Sequence, residues 1–421
     1  MNSRFHGFIK TPQLKIPGGP ASLWLFFLLS VSLPALRAEP FFSPTWGFRI
    51  DLPESYVYSD GDGRNRFSFT SGEGAAVDLV VYSGGIYGSV QALVEDVQKR
   101  LGNQGEVSVF TYRGRQAAVL ELEFPQGDHL SGNRGQRQNY SGWGFCTELE
   151  KKDGESPPLL AALAYGPADK ETLKLLAVSA LDSIAPAPSD ELAPGPMTEF
   201  AFPREVSRRV SLANTNASAL FDRIDAEAAQ SLADREFAVL HHYAESPQWK
   251  EAWIRFYRMI YRDAWDRLAD AAFALERTWH LGAPGGFSPG KAAGTAAADT
   301  SGQDREIAAR ALAWVQSFAY ERDLSGSDFV NPVSAAVEGR GDCDSRAILW
   351  AIVLGHANIP AAIMVSREYG HAMGLAGLDG PGARFEAEGR KWLVAETTAP
   401  VAPGLIASDK ADPAKWIGIT F

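Results

Sequence analysis

The chain has 421 residues, 45% of them apolar and 11% aromatic, enough to bury more than one sizeable core, which argues against wholesale disorder. Its formal net charge of -11 argues against a general nucleic-acid binder and against a peripheral protein of anionic membranes. Only two cysteines, Cys146 and Cys343, are present, so no disulfide scaffold is expected; a bridge between them is disfavoured because they fall in different expected domains.

Arg4, Lys10 and Lys15 precede the apolar run from Ala21 to Leu33, which leads into "PALRA" ending at Ala38. A basic start, a short apolar core and small residues before a cut point read as a signal peptide over 1–38. The run is too short to span a bilayer comfortably, and no later segment is long and apolar enough, so no stable membrane insertion is expected. The mature chain is expected to be periplasmic or secreted.

Residues 39–187 read as an α/β domain. "FRIDL" (Phe48 to Leu52) alternates apolar and charged residues as a half-buried strand does, and "AVLELEF" puts Ala118, Leu120, Leu122 and Phe124 on one face. "AAVDLVVY" and "LLAALAY" are further strand candidates. Between them, Ser89 caps a helix that buries Val90, Leu93, Val94, Val97 and Leu101, with Gly102 as its stop. A second helix, "DKETLKLLAVSALDSI", closes the domain before Pro186. The order β-β-β-α-β-β-β-α around "PTWGFRIDLPESY" and "ALDSIAP" resembles the PsbP-like α/β/α sandwich. That resemblance implies a binding or structural module, and Trp143 and Cys146 read as core residues.

The proline-rich stretch 188–203 reads as a linker or surface strap. The segment 204–282 reads as helical. From Trp249 onward, Trp253, Phe256, Tyr257, Ile260, Tyr261, Ala264, Leu268, Ala271 and Leu275 recur at spacings of three and four. That is an amphipathic stripe on one helix of about 45 Å, starting just after Pro247, and it reads as a packing surface rather than a ligand box. His241 and His242 face two directions on a helix and make a poor metal site. The Gly/Ala-rich stretch 283–303 reads as a second, flexible linker.

From Asp304 a helix carries "REIAARALAWVQSFAYERD". A short loop leads to "GRGDCDSRAILWAIVLG", where Gly339 and Gly341 free the backbone and Asp342 or Cys343 begins a helix to about His356. Ala347, Ile348, Ala351, Ile352 and Leu354 give that helix an apolar face, and His356 reads as its C-terminal cap. "IPAAIMVS", "GHAMGLAG", "ARFEAEG" and "RKWLVAETT" read as four strands with glycine turns between them. The helix dipole favours a thiolate at Cys343, while Asp342 and Asp344 oppose it. His371 opens the second strand and Glu396 ends the fourth. If these strands pair, a nucleophile, a base and an orienting carboxylate line up beside the helix start.

This order of Cys, His and acidic residue, with "W-V-Q-S-F-A-Y", "G-D-C-D", "N-I-P", "G-H-A" and "E-T-T", resembles the transglutaminase-like superfamily over 304–421. Members of that family share a papain-like core. The resemblance implies Cys343 as nucleophile, His371 as base and Glu396 as orienter. Met373 stands where an aromatic is commoner, and Glu396 stands where the family has Asp. The implied activity is that of an exported cysteine peptidase or amidase working through an acyl-enzyme on a protein or peptide, a cell-wall peptide among the candidates. With an amine as acceptor the same chemistry gives cross-linking. The competing reading is a non-catalytic envelope protein that uses the fold for binding or as a scaffold.

No cofactor is expected, since no Walker or dinucleotide glycine pattern is present. No metal is expected either, because Asp342, Cys343, Asp344 and His371 lack the second thiolate or histidine that a zinc site wants. The Cys343 backbone N–H is the natural oxyanion donor, with Gln316 and Tyr320 as further candidates. The whole is expected to be an α+β multidomain chain: an N-terminal α/β/α sandwich, a helical middle region and a C-terminal papain-like α+β domain. The sequence leaves its oligomeric state open.

Overall fold

The computed structural model describes residues 40–125, 139–151, 154–281, 300–321 and 329–421; the expected signal peptide and most of the expected second linker lie outside them. The short strands β1 (Phe41–Phe42) and β2 (Arg49–Ile50) pair with each other. A seven-stranded antiparallel sheet follows, built from β3 (Tyr56–Gly61), β4 (Arg66–Ser71), β5 (Ala76–Tyr82), β6 (Val107–Tyr112), β7 (Arg115–Pro125), β8 (Asn139–Glu148) and β9 (Leu159–Pro167). Its strand order is β3-β4-β5-β9-β8-β7-β6.

Helix α1 (Val90–Leu101) lies between β5 and β6 in the chain, and α2 (Glu171–Asp182) follows β9. The period-two alternation of the strands decides which helix each residue meets. On β7, Ala118, Leu120 and Leu122 pack with Val90, Leu93 and Val94 of α1, whereas Ala117 and Val119 pack with Leu173, Leu176 and Ala177 of α2. The sheet is therefore covered by one helix on each face. The Ser89 hydroxyl accepts the Ala92 N–H, and Gly102, at φ 64°, ends α1 in the left-handed conformation that a side chain would strain. Two details differ from expectation. Four strands rather than three separate α1 from α2, and "FRIDL" contributes to the small β1–β2 pair instead of the main sheet.

The segment 188–203 is not a free linker. Ala187, Asp190, Ala193, Met197 and Thr198 are buried, and the stretch ends in a short helix, α3 (Pro196–Ala201). The Tyr112 hydroxyl donates to the Pro194 carbonyl at 2.9 Å, and Thr198 donates its N–H (2.8 Å) and hydroxyl (2.6 Å) to the Asp182 carboxylate. Polar groups that a linker would give to water are thus spent on the sheet domain.

The expected helical region opens with a hairpin of β10 (Ser207–Ser211) and β11 (Ser218–Asp222), then runs through α4 (Asp225–His242), α5 (Trp249–Arg267) and α6 (Ala269–Leu281). The single long helix expected from Trp249 is interrupted at Leu268, whose amide is shared between the carbonyls of Ala264 and Asp266. Phe256, Tyr257, Ile260, Tyr261, Ala264, Leu268, Ala271 and Leu275 of the stripe are buried, with Trp253 packed against them. The other face of α5 is buried too. Arg255 donates to the Ser179 carbonyl (3.1 Å), and Arg262 donates to the carbonyls of Asp182 (2.9 Å) and Ile184 (2.7 Å). Two cations thereby meet the carbonyl end of α2, where a helix dipole is negative.

The remaining elements are α7 (Thr300–Gln316), β12 (Ala319–Tyr320), α8 (Pro332–Glu338), β13 (Arg340–Gly341), α9 (Cys343–His356), β14 (Ala361–Ser366), β15 (His371–Ala376), β16 (Arg384–Ala387), β17 (Arg390–Ala395) and β18 (Ile417–Thr420). Helix α7 begins ahead of the expected Asp304. The four expected strands form an antiparallel sheet in the order β16-β17-β15-β14-β18, with β18 as an unexpected edge. Helix α9 is enclosed between this sheet and α5 to α8. One core runs from Leu212 through Phe256, Ile260, Leu312, Ile348 and Trp350 to Ile419, so the middle helices and the C-terminal sheet share it. Among the described residues, no helix is long and apolar enough to cross a membrane.

Candidate active site

The start of α9 is fixed before its first turn is complete. Asp342 is extended, and its Oδ1 accepts from the Ser345 N–H (2.8 Å) and hydroxyl (2.7 Å), an N-cap that satisfies a donor the helix leaves free. Parallel pairing of β12 with β13 holds Arg340 and Gly341. Buried Arg346 donates to the carbonyls of Gly341 (3.1 Å) and Phe318 (2.8 Å). Cys343 is accordingly the first helical residue, and it lies against the first residues of β15.

His371 opens β15, which pairs with β17, and Glu396 is the residue after β17. The His371 Nε2 and Glu396 Oε2 are 2.8 Å apart. The second carboxylate oxygen accepts from the Thr398 N–H (2.8 Å) and hydroxyl (2.6 Å). Burial opposes ionisation of Glu396, but the bonds from His371 and Thr398 and the imidazole charge prevail and hold its carboxyl down at about 2. Among the described residues no hydrogen bond engages His371 Nδ1, so that nitrogen is available for proton transfer. The Trp416 ring lies across from the imidazole, 6.3 Å between centroids, and in turn packs on Tyr369.

Cys343 and Cys146 are both free thiols. The backbone of Ala372 favours the charged form of the Cys343 thiol, so the thiol lies near the residue that follows His371. No hydrogen bond joins the sulfur to the imidazole. Instead Sγ lies 3.4 Å from Asp344 Oδ2, and Tyr257 of α5 donates its hydroxyl to Asp344 Oδ1. Burial first, then the charges of Asp344 and Asp342, push the Cys343 thiol well above the ordinary range. The residue is only 1% exposed. Cys146 sits in the core under α1, where burial pushes its thiol up to about 12.

Three residues in this neighbourhood serve differently from the sequence expectation. The Gln316 amide donates to the carbonyls of Glu396 (2.8 Å) and Val401 (2.9 Å), so it anchors the strand end that carries the carboxylate and is not a free oxyanion donor. Tyr320 is exposed, its ring facing the Arg346 guanidinium at 5.6 Å. His356 does not cap its own helix; it stacks on Trp265 of α5 with its Nε2 3.0 Å from the Trp265 carbonyl. Thr398, Tyr257 and Trp416 were not singled out as site partners from the sequence; Asp344 was, as an anion opposing a thiolate at Cys343, but without its bond to Tyr257. Only the "E-T-T" run held a cue, a hydroxyl two residues after the acid. Among the described residues, no group of His, Cys, Asp and Glu is arranged to hold a metal ion.

No family model and no curated protein matches the chain. Among solved structures, a crystal structure from Bacteroides thetaiotaomicron VPI-5482 at 1.50 Å resolution aligns at 11% identity with a TM-score of 0.24, covering 54% of this chain and 78% of that one. A likeness of that degree carries no argument about fold or function.

Proposed function

We propose that the chain is an exported cysteine hydrolase of the transglutaminase-like type, a peptidase or amidase, with the sheet domain as a PsbP-like binding module. The observation that carries this reading is the His371–Glu396 pair at 2.8 Å, on the strand whose next residue, Ala372, acts through its backbone on the Cys343 thiol. His371 takes the thiol proton, and the sulfur attacks an amide carbonyl. The developing oxyanion meets the amide groups at the start of α9, and the imidazolium returns its proton to the leaving amine. Water then attacks the thioester, His371 again taking a proton, and the acid product leaves. Glu396 orients the imidazole and stabilises its charged form.

The test is covalent labelling with a peptidyl acyloxymethyl ketone, read by intact mass and peptide mapping. Labelling at Cys343, abolished in Cys343→Ala and slowed at least about 100-fold in His371→Ala, supports the reading. Equal labelling of wild type and His371→Ala sinks it. The enclosure of the thiol and its upward-shifted pKa favour a second reading, a non-catalytic envelope protein; an inert Cys343 at every pH up to 9 puts that reading ahead.

A further inference from the structure

Both oxygens of Asp344 are engaged, one by a thiol and one by a phenol. Oδ2 lies 3.4 Å from the Cys343 sulfur, and Oδ1 accepts from the Tyr257 hydroxyl. Tyr257 is buried in the core that α5 shares with α9, and its acidity is suppressed by burial and by Asp344 itself. The phenol therefore keeps its proton and can only donate, the carboxylate can only accept, and the thiol facing the other oxygen is left as a donor. Nothing in the spacing of the nucleophile and His371 requires this arrangement.

We infer that Asp344 is a brake on the nucleophile and that Tyr257, from the middle helical region, is the positioning residue that holds the brake in place. The inference rests on the reading of Cys343 as nucleophile. In the resting site the thiol proton is shared with the Asp344 carboxylate. Catalysis needs that proton moved to His371, leaving a thiolate beside an imidazolium, and a fixed anion on the next residue opposes the step. The other charged and titratable groups near the thiol are Asp342 at the cap of α9, Arg346 on α9 with Tyr320 of β12 facing it, and His371 with Glu396, the residue after β17. Asp342 is committed to capping the helix and Glu396 to His371. Asp344 is the acidic group whose bond partner is the sulfur itself.

The deciding measurement is the pH profile of iodoacetamide alkylation at Cys343, followed by peptide mapping so that Cys146 does not contribute. Asp344→Asn removes the charge, keeps an acceptor for Tyr257 and offers the sulfur a donor. It should move the profile to lower pH by about one unit, with alkylation near neutral pH about tenfold faster. Tyr257→Phe keeps the ring's packing and frees the carboxylate to turn away. It should shift the profile in the same direction by less, and the double variant should match Asp344→Asn alone, because Tyr257 acts only through Asp344. A profile for Asp344→Asn that superimposes on wild type overturns the inference, as does a Tyr257→Phe shift that adds fully to that of Asp344→Asn. If Asp344→Asn does not fold, an unshifted Tyr257→Phe profile is enough to overturn it. Alkylation requires no turnover, so a shift that persists while the peptidyl probe ignores His371→Ala refutes the hydrolase reading and leaves the brake standing.

Discussion

Glu396 has both carboxylate oxygens engaged, one on His371 and the other on Thr398, and this has a consequence that can be read in stability as well as in activity. Its carboxyl is held at about 2 in the folded chain against an ordinary value of 4.5. A depressed acid contributes stability that is fully present above pH 4.5 and is lost as the pH falls through about 2, a difference of about 3 kcal/mol. Glu396→Gln should therefore lower stability at pH 5 and lose less than wild type on going to pH 2.5, measured by urea unfolding. Parallel losses in the two proteins would show that the His371 and Thr398 bonds do not carry the shift. The pairing of His371 with Glu396 could be anticipated from their order along the chain, and the place of Asp344 from its position next to Cys343. Its bond to Tyr257 could not, since 87 residues separate them and only folding brings them together.

Among the elements, α9 and β15 show how closely the candidate site is packed. Gly374 faces Trp350, and a methyl group added there would sit 2.3 Å from the indole ring. Both residues are fully enclosed, so Gly374→Ala forces a rotamer or backbone shift and should cost about 1–3 kcal/mol. Thermal unfolding reads this directly; an unchanged midpoint would mean that helix and sheet do not meet at this spacing. Helix α1 was legible in advance because a capping serine, a regular apolar face and a left-handed glycine all agree. Helix α5 was read too long because its spacing of three and four continues through Leu268 into α6 without a glycine or proline to announce the break. Strand β10 is short and largely exposed and carries no alternation that betrays a strand, while β18 alternates Ile417 and Ile419 with Gly418 and Thr420 over only four residues.

At the scale of the molecule, buried charge joins the sheet domain to the helices. Arg255 donates to Ser179 and to Glu236 at 2.8 Å each, Arg235 pairs with Asp182, and Glu54 lies beside them with Oε2 buried and unpartnered. Burial, reinforced by Asp51 and only partly offset by Arg255, pushes the Glu54 carboxyl up to about 8. The folded chain thus keeps a proton there that the unfolded chain releases above pH 4.5. Stability should fall as the pH rises from about 4.5 to about 8, with a slope of at most about 1.4 kcal/mol per pH unit from this group. Glu54→Gln should remove that slope and gain on wild type between pH 5 and 8 in denaturant titrations. A gap that does not change with pH would place Glu54 in water. The same interface predicts that limited proteolysis spares 188–203, because Asp190, Ala193 and Thr198 are buried under it. A first cut inside that segment would contradict the packing.

The sequence by itself determined the elements that are specified locally. Ser89 and Gly102 bound α1, Asp342 starts α9, and the alternation in β7 divides its residues between two helices. It also determined the order of Cys343, His371 and Glu396, because each sits at the end of a helix or strand that its neighbours define. Tertiary structure alone decided what those ends face. A run such as "APAPSDELAPGPMTEF" looks like a linker until Asp182 and Tyr112 take up its polar groups, and an arginine on α5 looks like a solvent residue until the carbonyl end of α2 lies against it. The pairing of Asp344 with Tyr257 is of the same kind. Local pattern reports how a side chain is spaced along its own element, whereas charge burial and proton placement depend on partners that the chain brings in from far away.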